Sequence, residues 1–165
     1  MKIKKYVLPL LILMTPCYLF SATIKYSKIT VNGDVIARPC TIIPQNKAVD
    51  LGDIFTYNMA PYSEWVDFDI TLKNCPDGTN NISATFTGDY DNQRGFYINK
   101  GTSKNIGIQL RANANNNFIK SGDTYSVSVD SAKSGVFKLS ARAYKVGETN
   151  TGTLQSNINI TYVWL

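Results

Sequence analysis

Histidine is missing from all 165 residues. This removes the side chain that most often moves protons or binds metals near neutral pH, so a hydrolase triad or an imidazole-built zinc site is excluded. Cysteine is scarce, at three residues. Helical periodicity never persists for more than about six residues, which excludes a helix bundle. Basic clusters with interleaved aromatics are also lacking, so nucleic acid is not an expected partner. With no internal repeat, low-complexity tract or linker, the length fits one domain.

The amino terminus departs from this pattern. Met1 to Lys5 carries three lysines, Tyr6 to Phe20 is mostly apolar, and Ser21-Ala22 supplies small residues, the layout of a secretory signal peptide over residues 1–22. The apolar run is shorter than the about 20 residues of a membrane span, and Pro9 and Pro16 interrupt it. A lipid anchor on Cys17 is disfavoured because Pro16 occupies the position where lipid attachment takes a small residue. Cleavage near Ala22 takes away Lys2, Lys4 and Lys5 and no acid, leaving 14 basic against 12 acidic residues. The processed chain is therefore nearly balanced, with no membrane anchor expected. Cys40 and Cys75 remain, and such a pair in an exported chain predicts a disulfide. No cofactor is expected, and two cysteines without histidine make no usual metal site.

The next stretch, residues 27–38, alternates. Ile29, Val31, Gly33, Val35 and Ala37 share one face of an extended strand, while the other is polar except for Ile36. No turn pairs it with the segment after it, because Pro39 breaks the ladder. This suggests a strand made to be given to another copy of the fold. Short edge strands are predicted at 41–43 and 48–52, a loop at 54–64, and clear alternating strands at 66–73, 82–87, 106–111, 125–129 and 137–143. Gly88 to Asp91 reads as a turn, and 112–117 as a solvated connection. A last strand is predicted over 153–165, with Ile158, Ile160, Tyr162 and Trp164 on one face. Seven or eight such strands make an all-β antiparallel sandwich. If the opening strand is not folded back, the final strand keeps an unpaired edge and an exposed groove, which something must cover.

Ile29-Thr30-Val31-Asn32-Gly33-Asp34-Val35-Ile36-Ala37-Arg38-Pro39-Cys40-Thr41, Val49-Asp50-Leu51-Gly52-Asp53, Leu72-Lys73-Asn74-Cys75-Pro76 and Ile160-Thr161-Tyr162 resemble, in that order, the pilins of the chaperone–usher pathway, and among them the small tip-adaptor subunits of type 1 fimbriae. The resemblance implies an incomplete immunoglobulin-like β-sandwich lacking its final strand. It divides the processed chain into a donor-strand extension at 23–38 and a pilin domain at 39–165. Its groove would be filled first by a periplasmic chaperone and then by the extension of the next subunit, a strand addition in which main-chain bonds give affinity and alternate side chains give specificity. On this resemblance Ile29, Val31, Val35 and Ala37 are donated anchors, with Gly33 at a close backbone approach. Ile158, Ile160, Tyr162 and Trp164 line the acceptor groove, and the chaperone holds the Leu165 carboxylate with basic side chains. Further implied partners are an outer-membrane usher and neighbouring subunits, on the surface of a Gram-negative bacterium.

Other meanings compete for a few residues. Asp67 and Asp69 could mimic paired catalytic carboxylates, but their usual meaning on a wet strand face is solvation. Asp89, Asp91 and Asn92 could bind calcium, although a polar turn is the commoner outcome. Tyr90, Tyr97 and Trp65 could form a sugar-binding patch, making the chain a small lectin or adhesin. A major rod subunit would carry nearly the same pattern. The expected function is a non-enzymatic structural subunit, a minor adaptor near the tip of a fimbria.

Overall fold

The computed structural model describes residues 28–32, 39–55, 57, 59 and 61–165. The leader with Cys17, and Gly33, Val35 and Ala37 of the opening strand, lie outside the described residues. Nine strands and no helix occur among those described: β1 Thr41–Ile43, β2 Val66–Lys73, β3 Asn81–Thr87, β4 Tyr90–Asp91, β5 Phe96–Ile98, β6 Ile106–Ala112, β7 Thr124–Ser128, β8 Gly135–Lys145 and β9 Asn159–Trp164. They form two antiparallel sheets, one in the order β1-β2-β8-β6-β5-β4 and one in the order β7-β3-β9.

Alternation decides which residues meet between the sheets. Ile70 and Leu72 of β2, Leu110 of β6, and Phe137 and Leu139 of β8 pack with Ile82, Ala84 and Phe86 of β3 in one buried core. Each large aliphatic or aromatic side chain buried there contributes about 1.5–3 kcal/mol. Phe137 touches both edges of the smaller sheet, its ring centroid 5.7 Å from Tyr125 and 5.8 Å from Tyr162. The outward residues of that sheet are uncharged. Ser83 and Ser126 hydroxyls lie 2.8 Å apart and those of Thr85 and Thr124 3.0 Å apart, and Asn159 and Thr161 continue the face on β9.

Cys40 and Cys75 form the predicted disulfide, both buried. It ties the start of β1 to the end of β2, two strands already in register through Thr41 and Lys73.

Three expectations are corrected. Gly88 to Asp91 does not close a turn: Tyr90 and Asp91 pair with Tyr97 and Phe96 as a short hairpin. Its bend is made by Asp91, whose Oδ1 accepts the Gln93 and Arg94 N–H groups, and by Gly95 at φ 77°. Residues 48–52 form no strand, since the Gly52 N–H turns back to Asp50 Oδ1. Val49 and Leu51 nonetheless pack on the core. The last strand starts at Asn159 rather than Thr153, because Thr153 and Gln155 are bound instead to the 99–103 loop. The Asn99 side-chain amide donates to Thr153 O, and Lys100 N–H to Gln155 O.

Candidate functional site

β9 pairs with β3 along one side, from Ile82 opposite Trp164 to Thr87 opposite Asn159, and is the last strand of its sheet. Its other side carries main-chain N–H and C=O groups with no strand beside them among the described residues, a template for a further strand. β1 likewise ends the larger sheet. A groove of about 680 Å³ opens there. Ile42 of β1 with Val49 and Leu51 lines it, and so do Ile158, Ile160 and Tyr162. The inner faces of the sheets contribute Phe68, Ile70, Phe86, Ile108, Leu110 and Leu139. Gln45, Asn46, Lys47 and Asn157 make its polar surroundings.

A six-residue strand such as β9 spans about 20 Å, which is the length of open edge it offers beside the groove. Burial raises the pKa of the Tyr162 hydroxyl above its ordinary value.

Of the residues singled out from sequence, Ile158, Ile160 and Tyr162 come together in the groove. Trp164 packs on the core two residues beyond Tyr162, opposite Ile82, and does not line the groove. Leu165 is 70% exposed, and its oxygen accepts the Asn80 and Asn81 N–H groups at 2.8 and 3.2 Å. Ile29 and Val31 are 85% and 88% exposed, and residues 28–32 carry no regular secondary structure. Sequence reasoning missed Phe68, Ile108, Leu110 and Leu139 in the groove. Their strand faces were legible as apolar, but only the order of strands shows which apolar positions are left open.

The competing sites do not assemble. Tyr97 is fully buried with Tyr90 edge-on to it, ring centroids 5.0 Å apart, whereas Trp65 packs with Phe118. Asp91 is occupied by its own turn and by Arg94, and Asp89 by Lys100. Asp67 accepts a hydrogen bond from Ser140 Oγ at 2.6 Å, and Asp69 stands opposite Lys138. No group of three or more cysteine or carboxylate side chains among the described residues is placed to hold a metal.

Comparison with known proteins gives a consistent result. The model of the family described as fimbrial protein matches residues 29–162. The chain is 41% identical over 153 residues to Protein FimG of Escherichia coli K12, covering 88% of this chain and 90% of that one. It is 32% identical over 151 residues to the S-fimbrial adhesin protein SfaS of an Escherichia coli O6 strain, covering 90% and 91%. The crystal structure of the P pilus rod subunit PapA superposes with a TM-score of 0.64 at 19% identity, covering 78% of this chain and all of that one.

Proposed function

This chain belongs to the fimbrial protein family, and on that premise we propose that it polymerises by strand exchange as a minor adaptor subunit of a chaperone–usher fimbria. It has the immunoglobulin-like pilin fold and is a subunit of a surface fimbrium of Gram-negative type, with neighbouring subunits as partners. The observation that carries the exchange proposal is the apolar groove running beside the open edge of β9. Such an edge is an aggregation hazard unless a strand is laid along it, and the 27–38 segment has the alternation such a strand needs.

In this account residues 1–22 direct export and are removed, and residues 23–38 are donated to a neighbour. The groove of 39–165 is covered by a periplasmic chaperone until the next subunit's extension replaces it at the usher. Ile29, Val31, Val35 and Ala37 enter the acceptor, with Gly33 passing close to its backbone. Ile158, Ile160 and Tyr162 receive the incoming strand, with Trp164 and Leu165 at the end of the same edge. The adaptor position, rather than that of a rod subunit, is supported by the identity to FimG and by the stretches shared with type 1 tip adaptors.

The test is a synthetic peptide of residues 27–38 mixed with purified sibling subunits whose own extensions have been deleted. Tight, slowly dissociating binding is expected, and no binding to any sibling overturns donation. Counting copies per fibre separates adaptor from rod, since an adaptor is present once or a few times.

A further inference from the structure

Two aromatic side chains stand exposed at one end of the sandwich. Leu51, Ile54 and Leu154 pack there on buried Met59, Ile106 and Ala143 in a small cluster of their own. Ile106 opens β6, Ala143 lies near the end of β8 and Leu154 precedes β9, so this is the end where β9 begins. Leu51 also lines the groove. Phe55, directly after Ile54, is 59% exposed, and Tyr57 is 85% exposed. Their rings meet edge-on with centroids 6.0 Å apart, so they present one apolar surface rather than two separate side chains.

The opposite end carries the disulfide. Cys40 precedes β1 and Cys75 follows β2, and a proline stands beside each, Pro39 exposed and Pro76 half-buried. Every strand pairing among the described residues is antiparallel, the arrangement with the slightly stronger ladder. A strand laid beside β9 in the same manner ends where β9 begins, at the end that bears Phe55 and Tyr57. In this chain only Arg38 and Pro39 lie between Ala37, the last anchor of the donated strand, and Cys40. Three residue steps reach at most about 11 Å. A domain of this build whose strand occupies the groove is thus tethered with its disulfide end facing the aromatic pair.

We propose that Phe55 and Tyr57 are the seat of a second pilin domain, the one that donates its strand, which packs on the two rings through the end that in this chain carries Pro39 and Pro76. The inference rests on the strand-exchange reading. Aromatic surfaces take proline rings well, and proline loses no side-chain freedom on contact. Two rings fall far short of the about 800 Å² on each side that a free-standing interface needs. The tether removes that requirement, because a joined domain meets the rings at an effective concentration in the millimolar range. The joint between consecutive subunits is then a packed contact, stiffer than its short link alone would make it.

The experiment offers the purified, processed chain the extension peptides of its sibling subunits and, separately, the same siblings whole. A sibling whose peptide binds is expected to dissociate at least about tenfold more slowly as a whole subunit, and spin labels on the two joined domains are expected to give a narrow distance distribution. The double variant Phe55→Ser with Tyr57→Ser should leave peptide binding and the melting temperature unchanged, abolish the difference between peptide and whole subunit, and broaden the distribution. If Phe55→Ser lowers the melting temperature, Tyr57→Ser alone decides. The inference is overturned if peptide and whole subunit dissociate alike, or if the variant leaves the whole subunit's dissociation unchanged. It is overturned too if the variant weakens peptide binding equally, which would make the rings part of the groove. Failure of every sibling peptide to bind overturns the strand-exchange reading itself, and this inference with it.

Discussion

Replacing both Cys40 and Cys75 by alanine tests the link between the covalent frame and the groove. The bond closes a separation of 35 residues, and removing such a cross-link frees the unfolded chain by about 4 kcal/mol on the loop-entropy account. Domains of this size have about 5–15 kcal/mol in all. With a urea dependence of about 2 kcal/mol/M, the unfolding midpoint should fall by about 2 M. The loss should also be felt locally. β1 has only three residues, is paired on one side with β2, and contributes Ile42 to the groove. Amides of 41–43 should therefore exchange faster in the variant before the core opens, and a donor peptide should bind more weakly. Urea titration with and without peptide, together with site-resolved amide exchange, measures all three effects. A midpoint shift below about 0.5 M, or unchanged exchange at 41–43, would refute the idea that this bond holds the groove in shape.

Three other outcomes are expected. Val31→Asp in the 27–38 peptide puts a charge where donation, as proposed, would bury an aliphatic side chain worth about 1.5–3 kcal/mol, so its affinity for a sibling groove should drop about 10-fold to 100-fold in a fluorescence titration. Gly107→Ala would put a methyl group into the buried Phe96 ring, costing about 1–3 kcal/mol by thermal melting. Tyr97→Phe should be neutral or stabilising by up to about 1 kcal/mol, because its hydroxyl is buried without a hydrogen-bond partner. Burial also raises the Tyr97 pKa well above its unfolded value of about 10, with Tyr90 and Asp123 adding to the shift. The folded state therefore holds the proton more tightly than the unfolded state. Its contribution is present below about pH 10 and is lost as pH rises beyond it, and Tyr97→Phe should flatten that alkaline loss.

Period-two alternation made β2, β3, β6, β7 and β8 legible, because each has one face on the core and one on solvent. It failed where an element is too short for a period. Tyr90–Asp91 owes its pairing to the turn built by Asp91 and Gly95 rather than to its own pattern. It failed again at Phe96 and Tyr97, adjacent residues that are both buried. The 153–157 segment alternates like a strand, but its backbone is bonded to the side-chain amide of Asn99 and the hydroxyl of Thr102 instead. The groove was half legible: β9 announced its residues, while those from other strands depend on strand order. The packing of Arg111 and Arg142 on the Trp65 ring was illegible because these residues come from distant stretches that only the sheet brings together.

The outward residues of the three-stranded sheet leave its strands with nothing to ionise on that face. Ser83, Thr85, Thr124 and Ser126 hold one another across strands by hydrogen bonds that neither acid nor brine discharges, and a chain without histidine has no imidazole to switch on as its surroundings acidify. On an organelle that meets whatever fluid lies outside the cell, this flank should behave alike in fresh, salty and mildly sour water.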